Sequence, residues 1–246
     1  MAWWVRGRSN ARGALLEPLL PRLDANSEVP DGVGDALAPF AWFLTRAEEG
    51  IPLTEKHNLG RDFVRKAAGR WNWWELPGQP MREDDVVELW VLHEFAIARK
   101  LVRRRGRKLL ATPAARRCLK DAEELWRTVA GGLVAGGGFF DAVAELTLAV
   151  LILKGETTTD DIVTTITAML AEEGWGTGNQ MDPRASVDER DVDMVMWELR
   201  HLAKPFGLMV EKGDWSARSL ALTEVGAAAA LEALRARAAA PRNDVY

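Results

Sequence analysis

The chain has 246 residues but almost none of the side chains on which most enzyme chemistry runs: one cysteine, three histidines and one tyrosine. Cys118 alone cannot close an internal disulfide or build a thiolate zinc site, so the fold must rest on apolar burial and hydrogen bonding, as suits a reducing cytoplasm. Long apolar runs are missing too. The longest, residues 146–153, is far short of the ~20 residues of a membrane-spanning helix, and the N-terminus has no apolar run of the signal-peptide kind. These absences lead us to expect a cytoplasmic protein with no membrane contact, no catalytic residue, no cofactor and no metal. An enzyme with dispersed catalytic residues is the least favoured class.

Tryptophan, by contrast, is plentiful, supplying 11 of the 19 aromatic side chains. Such usage marks anchored helix contacts or a stacking surface. Charge is unevenly spread beneath a net value of −4: residues 1–138 carry 22 basic and 18 acidic side chains, residues 139–238 carry 9 and 17. The extreme lies between positions 99 and 120, where Arg99, Lys100, Arg103, Arg104, Arg105, Arg107, Lys108, Arg116, Arg117 and Lys120 stand with no acidic residue among them. So dense a run needs a counter-charge, from a polyanion or from the acidic second half of the chain.

A glycine-rich stretch, GGLVAGGG at 131–138, reads as a linker and divides the chain into similar halves. At an offset of 107 it aligns Asp84 with Asp191, Trp90 with Trp197, Leu92 with Leu199, Ala96 with Ala203 and Leu101 with Leu208; Thr112 and Thr223 align at 111, and Gly50 with Gly155 and Thr54 with Thr159 at 105. Offsets that change only at loops are the signature of a repeat. The expected organisation is an N-terminal extension (1–37), a first unit with the basic hairpin (38–130), the linker (131–138), an acidic second unit (139–238) and a tail (239–246).

Each unit reads as helix, short strand, helix, helix, hairpin, helix. First helices at 38–48 and 140–153 stop at Gly50 and Gly155, and Thr54 or Thr159 is placed to cap a second helix, at 60–68 or 160–173. After irregular stretches at 71–81 and 174–187 come third helices with apolar positions at helical spacing and acidic first turns. Hairpins at 101–112 and 208–223 end in Thr112 and Thr223, each placed to cap a last helix, at 113–130 or 224–238. The fold class is therefore mainly α with small antiparallel hairpins.

This order, with the segment LALTEVG at 220–226, resembles the winged-helix superfamily, and implies two tandem winged-helix-like domains. The first unit, through PLTEKHNLGRDFV (52–64), PMREDDVVELW (80–90) and LVRRRGRKLLATPAARRCL (101–119), is similar to an uncharacterised segment of bacterial plasmid and insertion-element passenger proteins. That resemblance implies no activity. It also departs from a base-reading helix-turn-helix, whose turn is about 3–4 residues long; here the predicted connection is 11 to 14. Carboxylates on the third helices, Glu83, Asp84, Asp85, Glu88 and Glu94 in one copy and Asp188, Glu189, Asp191, Asp193 and Glu198 in the other, are read as exposed and would repel phosphate.

The expected function is accordingly nucleic-acid binding, with regulatory binding to DNA as the target, through backbone contacts from Arg99, Lys100, Arg103, Arg104, Arg105, Arg107, Lys108, Arg116 and Arg117. The rival is a protein–protein adaptor in which the basic hairpin meets an acidic partner or the second unit. In either case the second unit would regulate, bind a protein or form a homodimer. Charges that merely guard an exposed hairpin edge are the plainest explanation of the hairpin. Arg61, Arg65, Lys66 and Arg70 lead into the tryptophans of WNWW (71–74), which are read as core anchors before stacking groups. His93-Glu94 begins like HExxH, but residue 97 is isoleucine, so no second ligand follows. His57 lies in a loop, and His201 is one position out of register with His93. GWGTG (174–178) is a helix stop and not a dinucleotide loop, since no strand leads into it and no helix opens from it. The acid pairs 48–49, 84–85, 160–161 and 172–173 are of a type that can hold a divalent cation, but three of them sit at helix ends, and the helix dipole suffices to explain those at N-termini. In the extension, Leu15, Leu16, Leu19, Leu20 and Leu23 form a stripe expected to pack on the first unit, and Trp3 and Trp4 beside Arg6 and Arg8 are placed to meet a partner.

Overall fold

The computed structural model describes residues 2–5, 9–25, 28–135, 138–176, 186–214 and 218–239. Arg6, Arg8, the Trp3 side chain, parts of the 131–138 and 174–178 glycine stretches, the second hairpin tip at 215–217 and the tail from 240 lie outside this description.

The chain is mainly helical with two small antiparallel sheets. Four short helices come first: α1 (Ala2–Val5), α2 (Asn10–Leu16), α3 (Leu20–Asp24) and α4 (Val33–Ala36). The first half then runs α5 (Ala38–Glu49), β1 (Ile51–Pro52), α6 (Arg61–Trp71), α7 (Val87–Ala98), β2 (Val102–Arg105), β3 (Lys108–Ala111), α8 (Pro113–Cys118) and α9 (Ala122–Ala130). The second half runs α10 (Gly138–Lys154), β4 (Thr157–Thr158), α11 (Thr159–Glu172), α12 (Glu189–Ala203), β5 (Met209–Lys212), β6 (Ser219–Leu222) and α13 (Glu224–Ala239). Both sheets place the last hairpin strand centrally, in the orders β1-β3-β2 and β4-β6-β5.

Positions paired by the 107-residue offset have matching environments. Leu92 and Leu199 are fully buried, as are Ala96 and Ala203, while Trp90 and Trp197 are both exposed, at 42% and 43%. Helices α7 and α12 end in the same two reverse bonds, Leu101 N–H to Ala96 O with Lys100 N–H to Ile97 O, and Leu208 N–H to Ala203 O with Gly207 N–H to Lys204 O. This terminator places its penultimate residue in the left-handed region. Gly207 enters it freely at φ 64°, whereas Lys100 does so at φ 55° against its Cβ. Thr112 and Thr223 accept from the Ala115 and Gly226 amides, as read from the sequence.

One apolar core runs through both halves. Helices α7 and α12 pack on each other, and so do α9 and α13. Phe206, just after α12, enters the first half edge-on against Phe40 and Phe95, with ring centroids 5.1 and 4.9 Å away. Helix α10 is buried on all sides from Asp141 to Leu151, as befits a helix apolar around its whole circumference. Among the described residues no helix is long and apolar enough to cross a membrane.

Four expectations are corrected. Thr158, not Thr159, caps α11 by accepting from the Asp161 amide; Thr159 instead donates to Arg218 O. Thr54 closes its own loop through the Asn58 amide and leaves α6 to begin at Gly60 without a side-chain cap. The predicted helix at 113–130 breaks at residues 119–121, where Asp121 starts α9 by accepting from the Glu123 and Glu124 amides. Finally, the leucine stripe packs on the second half: Leu16, Leu19 and Leu23 bury against Ala149, Leu234 and Ala238, and Trp4 lies in the same cluster rather than facing a partner. The stripe suits any apolar groove, and α10 with α13 supplies the one left open.

Candidate nucleic-acid interface

The basic hairpin is built by local rules. Gly106, at φ 58°, supplies the left-handed turn, and Thr112 seals the base by donating its hydroxyl to Lys100 O at 2.9 Å. Strand alternation turns Val102, Leu109 and Ala111 into the core. Arg103, Arg105 and Lys108 therefore share the outer face, and Arg104 lies beyond the edge of the core, exposed. Strand β2 is the sheet edge, so its three arginines border solvent on two sides.

The nine predicted contact residues divide by partner. Arg107 pairs with Glu55 at 2.8 Å, Arg116 with Glu48 at 3.5 Å and Arg117 with Glu124 at 3.4 Å. Arg99 is half-buried, donates to the carbonyl of Gly131 and lies 5.8 Å above the Phe95 ring. Burial lowers its pKa, which the field of Asp141 only partly offsets. Arg99 thus serves the joint between the halves and is only partly open to solvent. Lys100, Arg103, Arg104, Arg105 and Lys108 are exposed and have no ion-pair partner among the described residues. Among the described residues no ion pair joins the hairpin to residues 139–238; cross-half pairs are made elsewhere, by Lys204 with Glu88 at 2.8 Å and Arg127 with Glu232 at 4.0 Å. The second hairpin is self-neutralised, with Arg200 on Glu211 and Lys212 on Glu156, both at 2.6 Å.

The third helices pack on each other, and their outward positions include exposed Glu94 on α7 and exposed Asp193 and Glu198 on α12, which would repel phosphate. Their acidic residues have local duties. Asp188 and Asp191 form a capping box at the start of α12, and Asp85 accepts from the Met81 and Arg82 amides, which lower its pKa.

Glu83 corrects the sequence reading, which counted it as exposed: it is 3% accessible. Its carboxylate accepts from the Leu59 amide at 2.6 Å, and the other oxygen lies 2.6 Å from His93 Nδ1. His93 is thereby a buried side chain that ties the loop before α6 to α7. Replacing Glu83 by alanine leaves both groups buried without that acceptor and should cost about 1–3 kcal/mol in urea unfolding. A loss below ~0.5 kcal/mol would show that the pair bears no weight, given the cost of an unmet buried donor. His57 sits in a turn at φ 64°, and His201 faces the carbonyl of Trp197 at 2.7 Å.

The tryptophans of WNWW serve packing. Trp73 and Trp74 lie against the core, while Trp71 meets Trp42 edge-on at 6.4 Å and Trp73 at 6.2 Å, with the Arg70 guanidinium 5.1 Å from its ring. Among the described residues no group of three His, Cys, Asp or Glu is placed to hold a metal ion.

Residues 38–124 match a protein-family model described as the Y4jL N-terminal domain. The match opens at the first residue of α5, ends within α9 and contains the whole basic hairpin and every segment that resembles the plasmid and insertion-element proteins. No curated protein and no solved structure matches the chain.

Proposed function

We propose that this is a non-enzymatic nucleic-acid-binding protein that holds the phosphate backbone with the outer face and edge of its first hairpin. One observation carries the reading: Lys100, Arg103, Arg104, Arg105 and Lys108 stand exposed on one hairpin with no ion-pair partner among the described residues, while Glu156, Glu211 and Glu232 of the acidic half pair with Lys212, Arg200 and Arg127. The shared element order and sheet order of the halves support two tandem winged-helix-like units, with the first hairpin as the contacting wing. Because the exposed positions of α7 and α12 include carboxylates that phosphate would repel, Glu94, Asp193 and Glu198, binding is directed to the backbone by the hairpin and largely independent of base sequence. Duplex DNA in the cytoplasm is the target we favour, with a regulatory role following from occupancy.

The test is a salt titration of binding to mixed-sequence duplex and single-stranded DNA. Each neutralised phosphate contributes about 0.9 to the slope of log K against log salt. Changing Arg103, Arg104 and Arg105 together to glutamate should therefore flatten the wild-type slope by about 2 to 3. Absent wild-type binding at low salt, or an unchanged slope in the triple variant, overturns the reading.

A second reading has its own support. The outer edge of β2 is unpaired, so an extended acidic peptide can add to it as a fourth strand, making the protein an adaptor. Retained capture of an acidic peptide with no affinity for DNA would select that reading.

A further inference from the structure

Next to the hairpin lies an open cleft of about 410 Å³, walled by the loop after β1, the start of α6 and the segment before α7. Its rim carries Lys56, Arg61 and Arg82. Neither Lys56 nor Arg61 has an ion-pair partner among the described residues. Of the acidic groups nearby, Glu55 is engaged by Arg107, Glu83 by the Leu59 amide and His93, and Asp85 by two backbone amides, while Asp62 and Asp84 are exposed. Two bonds tie the cleft to the hairpin tip, since Arg107 donates its guanidinium to Glu55 and its carbonyl accepts from the Leu53 amide at 2.9 Å. Cleft and hairpin are therefore joined through the tip residue Arg107.

We infer that this cleft is a second phosphate seat for the same nucleic-acid strand, so that the footprint runs from the wing face across the tip to Lys56, Arg61 and Arg82. The inference rests on the proposed function and extends it: contact with the wing alone would engage a short run of phosphates, whereas wing and cleft together clamp the backbone at two separated points. Phosphate is the group that fits, because Lys56, Arg61 and Arg82 all line one open recess, and because ammonium and guanidinium groups gain most from a multiply accepting anion.

The experiment uses the full chain and a mixed-sequence DNA duplex, titrated against salt. Variants are Lys56→Gln with Arg61→Gln, the hairpin triple change, and the two sets combined. Neutralising the cleft pair should lower the salt slope by about 1 to 2 and weaken binding at low salt at least threefold, and the combined variant should lose the sum of both slopes. Should Arg61→Gln disturb α6 in thermal melts, Lys56→Gln with Arg82→Gln repeats the measurement on the opposite rim. If the wild type binds and the hairpin variant loses slope while both cleft pairs keep wild-type affinity and slope, the second seat is refuted and the hairpin reading stands. If the wild type binds no DNA, both fall together.

Discussion

Replacing Arg12 by methionine is expected to destabilise the protein by about 3–5 kcal/mol, the cost of removing one partner from a buried ion pair. Arg12 is fully buried, and its Nε and Nη2 donate to one oxygen of Glu145, itself fully buried, at 3.1 and 2.6 Å. Its Nη1 donates to Glu173 at 2.8 Å, and Glu173 also accepts from the Ser9 amide and the Trp175 indole, each at 3.2 Å. Burial works against the charge on Arg12, yet Glu145 and Glu173 outweigh it and hold its pKa above the ordinary value. Methionine fills the space but removes both guanidinium bonds to the buried Glu145, whose ion pair with Arg237 is longer, 3.6 Å, and made by a partly exposed side chain. Urea unfolding followed by tryptophan fluorescence measures the loss. Because replacing both partners by apolar groups is often nearly neutral, Arg12→Met with Glu145→Leu should recover much of it. A single-variant cost under about 1 kcal/mol, the scale of an exposed pair, would overturn the account.

The same cluster sets an acid limb. Burial raises the pKa of Glu173, but Arg12, the Ser9 amide and the Trp175 indole together bring it below the ordinary carboxylate value. A carboxylate depressed in the fold adds stability that is complete above its unfolded pKa, about 4.3, and is lost as pH falls through the lower folded value. Stability should thus fall on acidification below about pH 4, and the Arg12→Met variant should show a shallower limb. Through this cluster the N-terminal segment is stapled to α10 and to the end of α11, which is why α1 to α3 belong structurally to the second half.

Much of this architecture is written in local patterns. Helical spacing marks α5, α7, α10 and α12, and the threonines at 112 and 223 announce α8 and α13, because a hydroxyl cap depends only on residues three apart. What local pattern omits is partner choice. Arg12 carries no sign of its burial, since Glu145 and Glu173 are more than 130 positions away. Glu83 opens a run of three acids that looks like a solvated first turn, and only the return of the loop at Leu59 buries it. Among the hairpin cations the charge pattern is uniform, while the structure separates five unpaired groups from Arg107, Arg116 and Arg117 through three glutamates that arrive from other elements. The proposed function rests on that separation, which spacing along the chain does not encode.

Gly226→Ala carries the other large expected effect, a loss of about 3 kcal/mol or more, at the upper end of what overpacking costs. On helix propensity alone the change would favour the protein by up to about 1 kcal/mol. Packing reverses the sign. A Cβ on Gly226 would meet the carbonyl oxygen of Leu208 at 1.7 Å, its carbon at 2.6 Å and its Cα at 3.0 Å. These are backbone atoms pinned from both sides, because the Leu208 amide donates to Ala203 at 3.2 Å and its carbonyl accepts from Thr223 at 3.1 Å. The cap adds a third restraint, with the Gly226 amide 2.9 Å from the Thr223 hydroxyl. Helix α13 can admit a methyl group only by lifting off β5, which would open the contact of α13 with α9 that joins the halves. The first half carries Ala115 at the equivalent site, where the cap bond is 3.4 Å long and α8 ends after six residues. Thermal melts should show Gly226→Ala some 6–12 °C below the wild type, taking about 2–4 °C per kcal/mol for a chain of this size. Ala115→Gly should fall by only about 2–4 °C, the cost of glycine in a helix. Equal melting temperatures for Gly226→Ala and wild type would mean that α13 is not held against Leu208 as described.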